Sequence, residues 1–152
     1  MSTIEKLHEM RAFGGPVRTT GLPDSAIAAF LASDPALGTA IDAAHTRHQT
    51  LRASQPELLG MPEGELIVAL QHDYVNFYQP EAVNPYVPLS ARGPWIVTSH
   101  GAVLHDNGGY GMLGGGHAPS VVLDAMGQAQ VMANIMTASF SQQAFSSRLR
   151  RE

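Results

Sequence analysis

The sequence predicts an α+β fold: a mostly helical N-terminal half, then a small antiparallel β-hairpin or sheet, then two C-terminal helices. Three observations predict it. Apolar residues recur at helical spacing in three runs between Asp24 and Tyr78. Pro80, Pro85, Pro88 and Pro94 then end that pattern, since each lacks a backbone donor and pushes its predecessor to extended geometry. Two short apolar runs flank Ser99-His100-Gly101, and helical spacing returns after Pro119.

Taken in order, residues 1–23 read as a flexible segment, because Gly14-Gly15-Pro16 and Gly21-Leu22-Pro23 are breakers. Residues 24–79 read as a helical region. Asp24 is placed to cap a first helix with Ile27, Phe30 and Leu31 on its apolar face. Asp34 caps a second, with Pro35 at the first helical position and Leu37, Ile41, Ala44 and Leu51 as its stripe, ending before Pro56. Pro62 precedes a third run from Glu63 to Tyr78, with Leu66, Ile67, Leu70, Tyr74 and Phe77 on one face. Residues 80–94 read as an extended connector. Trp95–Ser99 and Ala102–Asp106 read as a hairpin whose His100-Gly101 pair supplies positive φ. After a glycine-rich loop, Val122, Leu123, Met126, Gln130 and Ala133 fall near one helical face. Ser139 with Gln142 signals the cap of a last helix, where Phe140, Ala144 and Arg148 share a face. Arginines in its last turn suit the macrodipole.

Composition narrows the function classes. At 152 residues one domain is expected, since ~100–200 residues per domain is usual. The net charge of −4 and the lack of a basic run longer than Arg150-Arg151 argue against nucleic acid. Without cysteine there are no disulfides and no thiolate metal sites. The N-terminus has no apolar signal core, and no apolar run approaches the ~20 residues that span a bilayer, so a cytoplasmic protein with no membrane partner is expected.

Four constellations bear on chemistry. Gly109-Tyr110-Gly111-Met112-Leu113-Gly114 fits G-x-G-x-x-G, but a hairpin precedes it and no βαβ unit surrounds it, so six glycines permitting a non-helical loop is the simpler reading. His45 and His48 stand three apart on a helix and read as a solvated face. His100 reads as a turn residue, and His117 as a loop histidine bonding backbone near a helix start. With no H-E-x-x-H, no metal ligands are assigned. Ser99-His100 adjacency makes no catalytic triad, and Asp106 reads as a hairpin-end carboxylate bonding backbone amides. Tyr86, in Asn84-Pro85-Tyr86-Val87-Pro88-Leu89, and Tyr110 offer apolar rings with polar tips suited to a small-ligand pocket.

Together, Asn84…Pro88-Leu89, Gly93, Gly101, Asp106, Gly116-His117 and Gln130 resemble in order and spacing the N-terminal part of the class III aminotransferases. These are fold-type-I enzymes that use pyridoxal 5′-phosphate (PLP). The likeness covers residues 80–152, roughly half the chain. Here proline follows the histidine after one residue (His117-Ala118-Pro119), and the loop from Asp106 to His117 is about one residue shorter than in ornithine-type members.

The resemblance implies a homodimer that moves an amino group between an amino donor and a 2-oxo acid. It implies that Tyr86 and Tyr110 line the substrate pocket, with Gly111 in the glycine-rich wall near the substrate carboxylate. In the family the Schiff-base lysine, the acidic partner of the pyridine nitrogen and the phosphate cup all lie downstream. No catalytic or cofactor-binding residue is therefore expected in this segment, whose single lysine is Lys6, and the segment alone is expected to be inactive. Residues 1–79 match no family motif; they read as an extension that packs on the remainder of the chain or a second subunit. The competing readings are a complete, non-catalytic binding or assembly module with an aminotransferase-like surface, and a small metal- or nucleotide-binding protein.

Overall fold

The computed structural model describes residues 1–72, 79, 82–107, 114–128 and 140–151. The chain divides into two compact units, Met1–Pro119 and Ser120–Glu152.

The first unit begins with a helix where the sequence suggested a flexible end. Helix α1 (Thr3–Phe13) starts in a capping box: the Ser2 hydroxyl accepts from Glu5 N–H, and the Glu5 carboxylate accepts from Ser2 N–H. Leu7 and Met10, three residues apart, are fully buried. The Gly14-Gly15-Pro16 breaker ends this helix rather than preventing it. The stretch after it is also held, since Leu22 N–H donates to Val103 O at 2.8 Å.

Helix α2 (Asp24–Leu31) is capped by Pro23, not by Asp24. The Asp24 carboxylate is taken by α1 instead, accepting from Arg11 Nη1 and His8 Nε2, each at 2.6 Å. Helix α3 (Pro35–Ser54) forms as its sequence signals require: Asp34 accepts from Ala36 N–H at 2.9 Å and Pro35 opens the helix. Leu37, Ala40, Ile41 and Ala44 are fully buried on one face. A single turn, α4 (Pro56–Leu59), leads to α5 (Glu63–Gln71), which buries Leu66 but leaves Leu70 exposed. Tyr74 and Phe77 of the predicted run lie outside the described residues.

The sheet has three antiparallel strands in the order β1-β2-β3. Strands β2 (Trp95–Thr98) and β3 (Val103–His105) form the predicted hairpin, pairing Trp95 with His105 and Val97 with Val103. Strand β1 (Pro88–Arg92) lies within the predicted connector and pairs Ala91 with Ile96 and Arg92 with Trp95. Its prolines are compatible with pairing because Pro88 opens the strand beside an irregularity, and Pro94 falls in the turn to β2. Helix α3 lies against β1 and β2, so the helical region and the sheet share one core. Leu7, Met10, Ile27, Leu37, Ile41, Trp95, Val97 and Val103 form it. Trp95 completes it with polar bonding as well, donating from Nε1 to Asp34 Oδ2 at 2.7 Å.

In the second unit, α6 (Ser120–Met126) buries no residue and exposes Val121, Val122, Leu123 and Met126. Helix α7 (Phe140–Leu149) carries Arg148 in its last turn. Gln130, Ala133 and Ser139 lie outside the described residues. Among the described residues no helix is long and apolar enough to cross a membrane.

Candidate functional site

Four of the motif residues, Gly93, Asp106, Gly116 and His117, meet at one end of the sheet, whereas Gly101 lies in the turn at the other end. Gly93, in the β1–β2 turn, and His117 exchange two backbone bonds: Gly93 N–H donates to His117 O at 2.9 Å, and His117 N–H to Gly93 O at 2.8 Å. The His117 ring then meets Asp106, with Nε2 at 2.9 Å from Oδ2. Asp106 is itself anchored by its N–H donating to Pro94 O at 2.7 Å. Gly116 adopts φ +71°, and a Cβ there would stand 2.8 Å from Gly93 O. Only a residue without a side chain lets the two backbones approach this closely. The result is a clasp that joins the two ends of the glycine-rich passage, Asp106 and His117. The Asp106 carboxylate, expected to bond backbone amides, thus pairs with the His117 side chain, and His117 bonds through both its ring and its backbone. Ala118, between His117 and Pro119, holds φ +46°, a left-handed backbone unusual for alanine.

The hairpin turn is fastened to the helical layer. Gly101 has φ +70°, and Arg11 Nε donates to its carbonyl at 3.0 Å. His100 sits in the turn as expected, yet it is buried rather than solvated. Its Nε2 lies 2.9 Å from Met61 O and its Nδ1 3.0 Å from Ser99 Oγ. A carbonyl oxygen only accepts, so the ring donates to Met61 through Nε2. Ser99 also faces a small cavity of about 60 Å³ lined chiefly by Leu51, Leu58, Leu66, Leu70 and Val87. That volume is well below the roughly 150 Å³ cavity that admits benzene.

Tyr86 is half-buried in the segment entering β1, where Thr19 Oγ1 donates to the neighbouring Pro85 O at 3.1 Å. Tyr110 and Gly111, like most of the G-x-G-x-x-G stretch, lie outside the described residues. His45 and His48 do not form a solvated face. His45 Nε2 pairs with Glu9 Oε2 at 2.8 Å, and His48 is fully buried against Phe13. Its burial depends on α1, which no local signal around His48 announces. Glu63 is a second buried polar residue missed by sequence reasoning; its Oε2 accepts from Arg18 and Thr19 N–H at 2.7 and 2.8 Å. Among the described residues no group of three His, Asp or Glu side chains is placed to hold a metal ion.

Electrostatics are concentrated around α1. Hydrogen bonds from His45 and Gln49 hold the Glu9 carboxyl below its ordinary range. His8 and Arg11 do the same for Asp24, and the Trp95 indole for Asp34. Burial pushes His48 the other way from a charged state, lowering its pKa.

No family model matches the chain, and no curated protein or solved structure matches it.

Proposed function

We propose that this chain is the N-terminal segment of a PLP-dependent class III aminotransferase, a homodimeric enzyme that moves an amino group between an amino donor and a 2-oxo acid. One observation carries the reading. Gly93, Asp106, Gly116 and His117, four of the motif residues by which the sequence resembles that family, converge in the Gly93–His117–Asp106 clasp. That these four residues meet in space supports reading their spacing as a structural motif. In this reading the clasp sets the two ends of the glycine-rich loop that carries Tyr110 and Gly111, which contribute to the substrate pocket together with Tyr86, although Tyr86 enters β1 at the other end of the sheet, beside the β2–β3 turn. The exposed apolar residues of α6, Val121, Val122, Leu123 and Met126, are then surface that the remainder of the enzyme covers.

The residues present do not fit PLP by themselves. Lys6, the single lysine, stands on α1 with Nζ 2.6 Å from Asp42 Oδ1, on an outer face of the helical layer. No step of the reaction is assigned to these residues. Their part in the proposed enzyme is to shape the substrate side of the site, with the cofactor held by residues outside this sequence.

A second reading has its own support: residues 1–119 bury a core of their own, as a non-catalytic binding or assembly module would. One experiment separates the two. The reading frame beyond codon 152 is sequenced, and its full product is assayed for the visible absorbance of bound PLP and for amino transfer to a 2-oxo acid. A frame that continues through a glycine-serine phosphate segment and a lysine, with a PLP-bound and active product, is the expected result. A stop codon, or a longer product that neither binds PLP nor transfers an amino group, overturns the proposal.

A further inference from the structure

His48 is a buried titratable group to which the aminotransferase reading gives no task. It is fully buried on α3, and neither ring nitrogen has a hydrogen-bond partner among the described residues. Buried polar side chains nearly always keep at least one such bond, so an unbonded imidazole calls for an explanation. His45, three residues earlier on the same helix, has Glu9 at 2.8 Å. A proton on His45 meets a carboxylate, whereas a proton on His48 meets no acceptor.

What surrounds His48 is the end of α1. The Phe13 ring meets the His48 ring edge-on, with centroids 5.6 Å apart and planes at 88°. Arg52 covers Phe13, its guanidinium carbon 4.7 Å from the ring centroid. The next residue, Gly14, lies so near the buried His100 that a Cβ would come within 2.6 Å of that ring. The chain leaving α1 is therefore seated between two imidazoles.

We propose that His48 is an acid-sensitive latch: neutral, it seats Phe13 and Gly14 at the end of α1 against α3; protonated, it leaves the core and releases them. The charged and titratable groups acting on it are Glu9 from α1, His45 and Arg52 from its own helix, and His100 from the β2–β3 turn. Glu9 alone favours the imidazolium, and it does so without a hydrogen bond; burial outweighs it and lowers the pKa below the ordinary 6.5. The released state then binds a proton more readily than the seated one. Seating is fully favoured above 6.5 and is lost progressively as pH falls from there to the lowered value.

The test uses the whole chain and trypsin. Cleavage after Arg11 requires α1 to open, because Arg11 lies inside the helix and its side chain is bonded to Gly101 and Asp24. Cleavage rates are taken at pH values on both sides of 6.5, each normalised to a free peptide of the same sequence, for wild type and His48→Phe. As pH falls from 6.5 to the lowered value, cleavage of the wild type should rise more steeply than that of His48→Phe, by at most about tenfold per pH unit, the slope of one proton. Equal slopes overturn the proposal. If His48→Phe does not fold, the wild type alone decides by NMR. The His48 ring should titrate below 6.5 together with loss of the seated Phe13 and Gly14 amide signals. Titration of the ring with those amides unchanged refutes the latch.

Discussion

The clasp makes two glycines of one short run, Gly114 and Gly116, respond differently to the same substitution. Gly116→Ala places a Cβ 2.8 Å from Gly93 O and 2.9 Å from Gly93 C and Cα, in a residue whose φ is +71°. Both obstacles are backbone, so neither yields by rotating a side chain. A left-handed conformation costs an L-residue about 1–2 kcal/mol. Moving apart loosens the two Gly93–His117 bonds, each worth about 0.5–1.5 kcal/mol net. The expected destabilisation is together about 2–5 kcal/mol. Gly114→Ala is the control: among the described residues nothing lies within 4 Å of its Cβ, and its φ is outside the left-handed range. It should leave stability unchanged or raise it by about 0.4–1 kcal/mol, through a less flexible unfolded chain. The assay is urea unfolding followed by fluorescence of Trp95, the single tryptophan, which is buried two residues from Gly93. If Gly116→Ala falls within about 0.5 kcal/mol of wild type, the ordinary range for a surface change, the close approach of Gly93 and Gly116 is refuted.

Ala118→Gly should stabilise the chain by about 0.5–1 kcal/mol, because relief of a left-handed alanine exceeds the entropy that glycine adds to the unfolded state; a loss in urea unfolding contradicts this. Ile41→Ala should destabilise by about 2–5 kcal/mol, whereas Val68→Ala, at 71% exposure, should stay within about 0.5 kcal/mol; similar values for both would contradict the position of the core. Glu9 and Asp24 are held below their ordinary values of 4.5 and 3.8 by hydrogen bonds from α1–α3 and α1–α2 partners. The unfolded carboxylates take up protons first, so their stabilisation is full above those ordinary values and is lost as pH falls through the lowered ones. The double variant Glu9→Gln, Asp24→Asn should therefore flatten the acid limb of the urea midpoint, and an unchanged limb argues against these pairs. Asp106→Asn should speed amide exchange at Gly93 and His117, since the ring of His117 loses a charged partner at 2.9 Å; unchanged protection there means that the side-chain pair does not secure the backbone bridge.

The boundaries of α3 were legible because their causes are local. An aspartate that bonds the amide two residues on and a proline that starts the helix act within one turn, and Pro56 ends the pattern from just beyond it. The β2–β3 hairpin was legible for the same reason, with Gly101 supplying the left-handed turn. Strand β1 was not, since Pro88–Arg92 is a strand only by pairing with β2 across the Gly93-Pro94 turn. The end of the chain misled most: Ser2 and Glu5 were a capping box in plain view, but the breakers after Phe13 outweighed two apolar residues whose partners lie far away in sequence. At the site, the motif residues were visible as spacing, whereas the pairing of Asp106 with His117 and the burial of His48 were not.

By itself the sequence determined the α+β class, the α3 boundaries, the central hairpin and the glycine of its turn, because these follow from φ limits and bonds spanning a few residues. Tertiary structure alone decided that α1 belongs to the core, that His48 loses its solvent, that Asp24 serves α1 rather than its own helix, and that Gly93, Asp106 and His117 close into one clasp. Those outcomes depend on which distant segments meet, as Leu22 meets Val103 and Phe13 meets His48. Burial and pairing are properties of the assembled chain, so no window of neighbouring residues contains them.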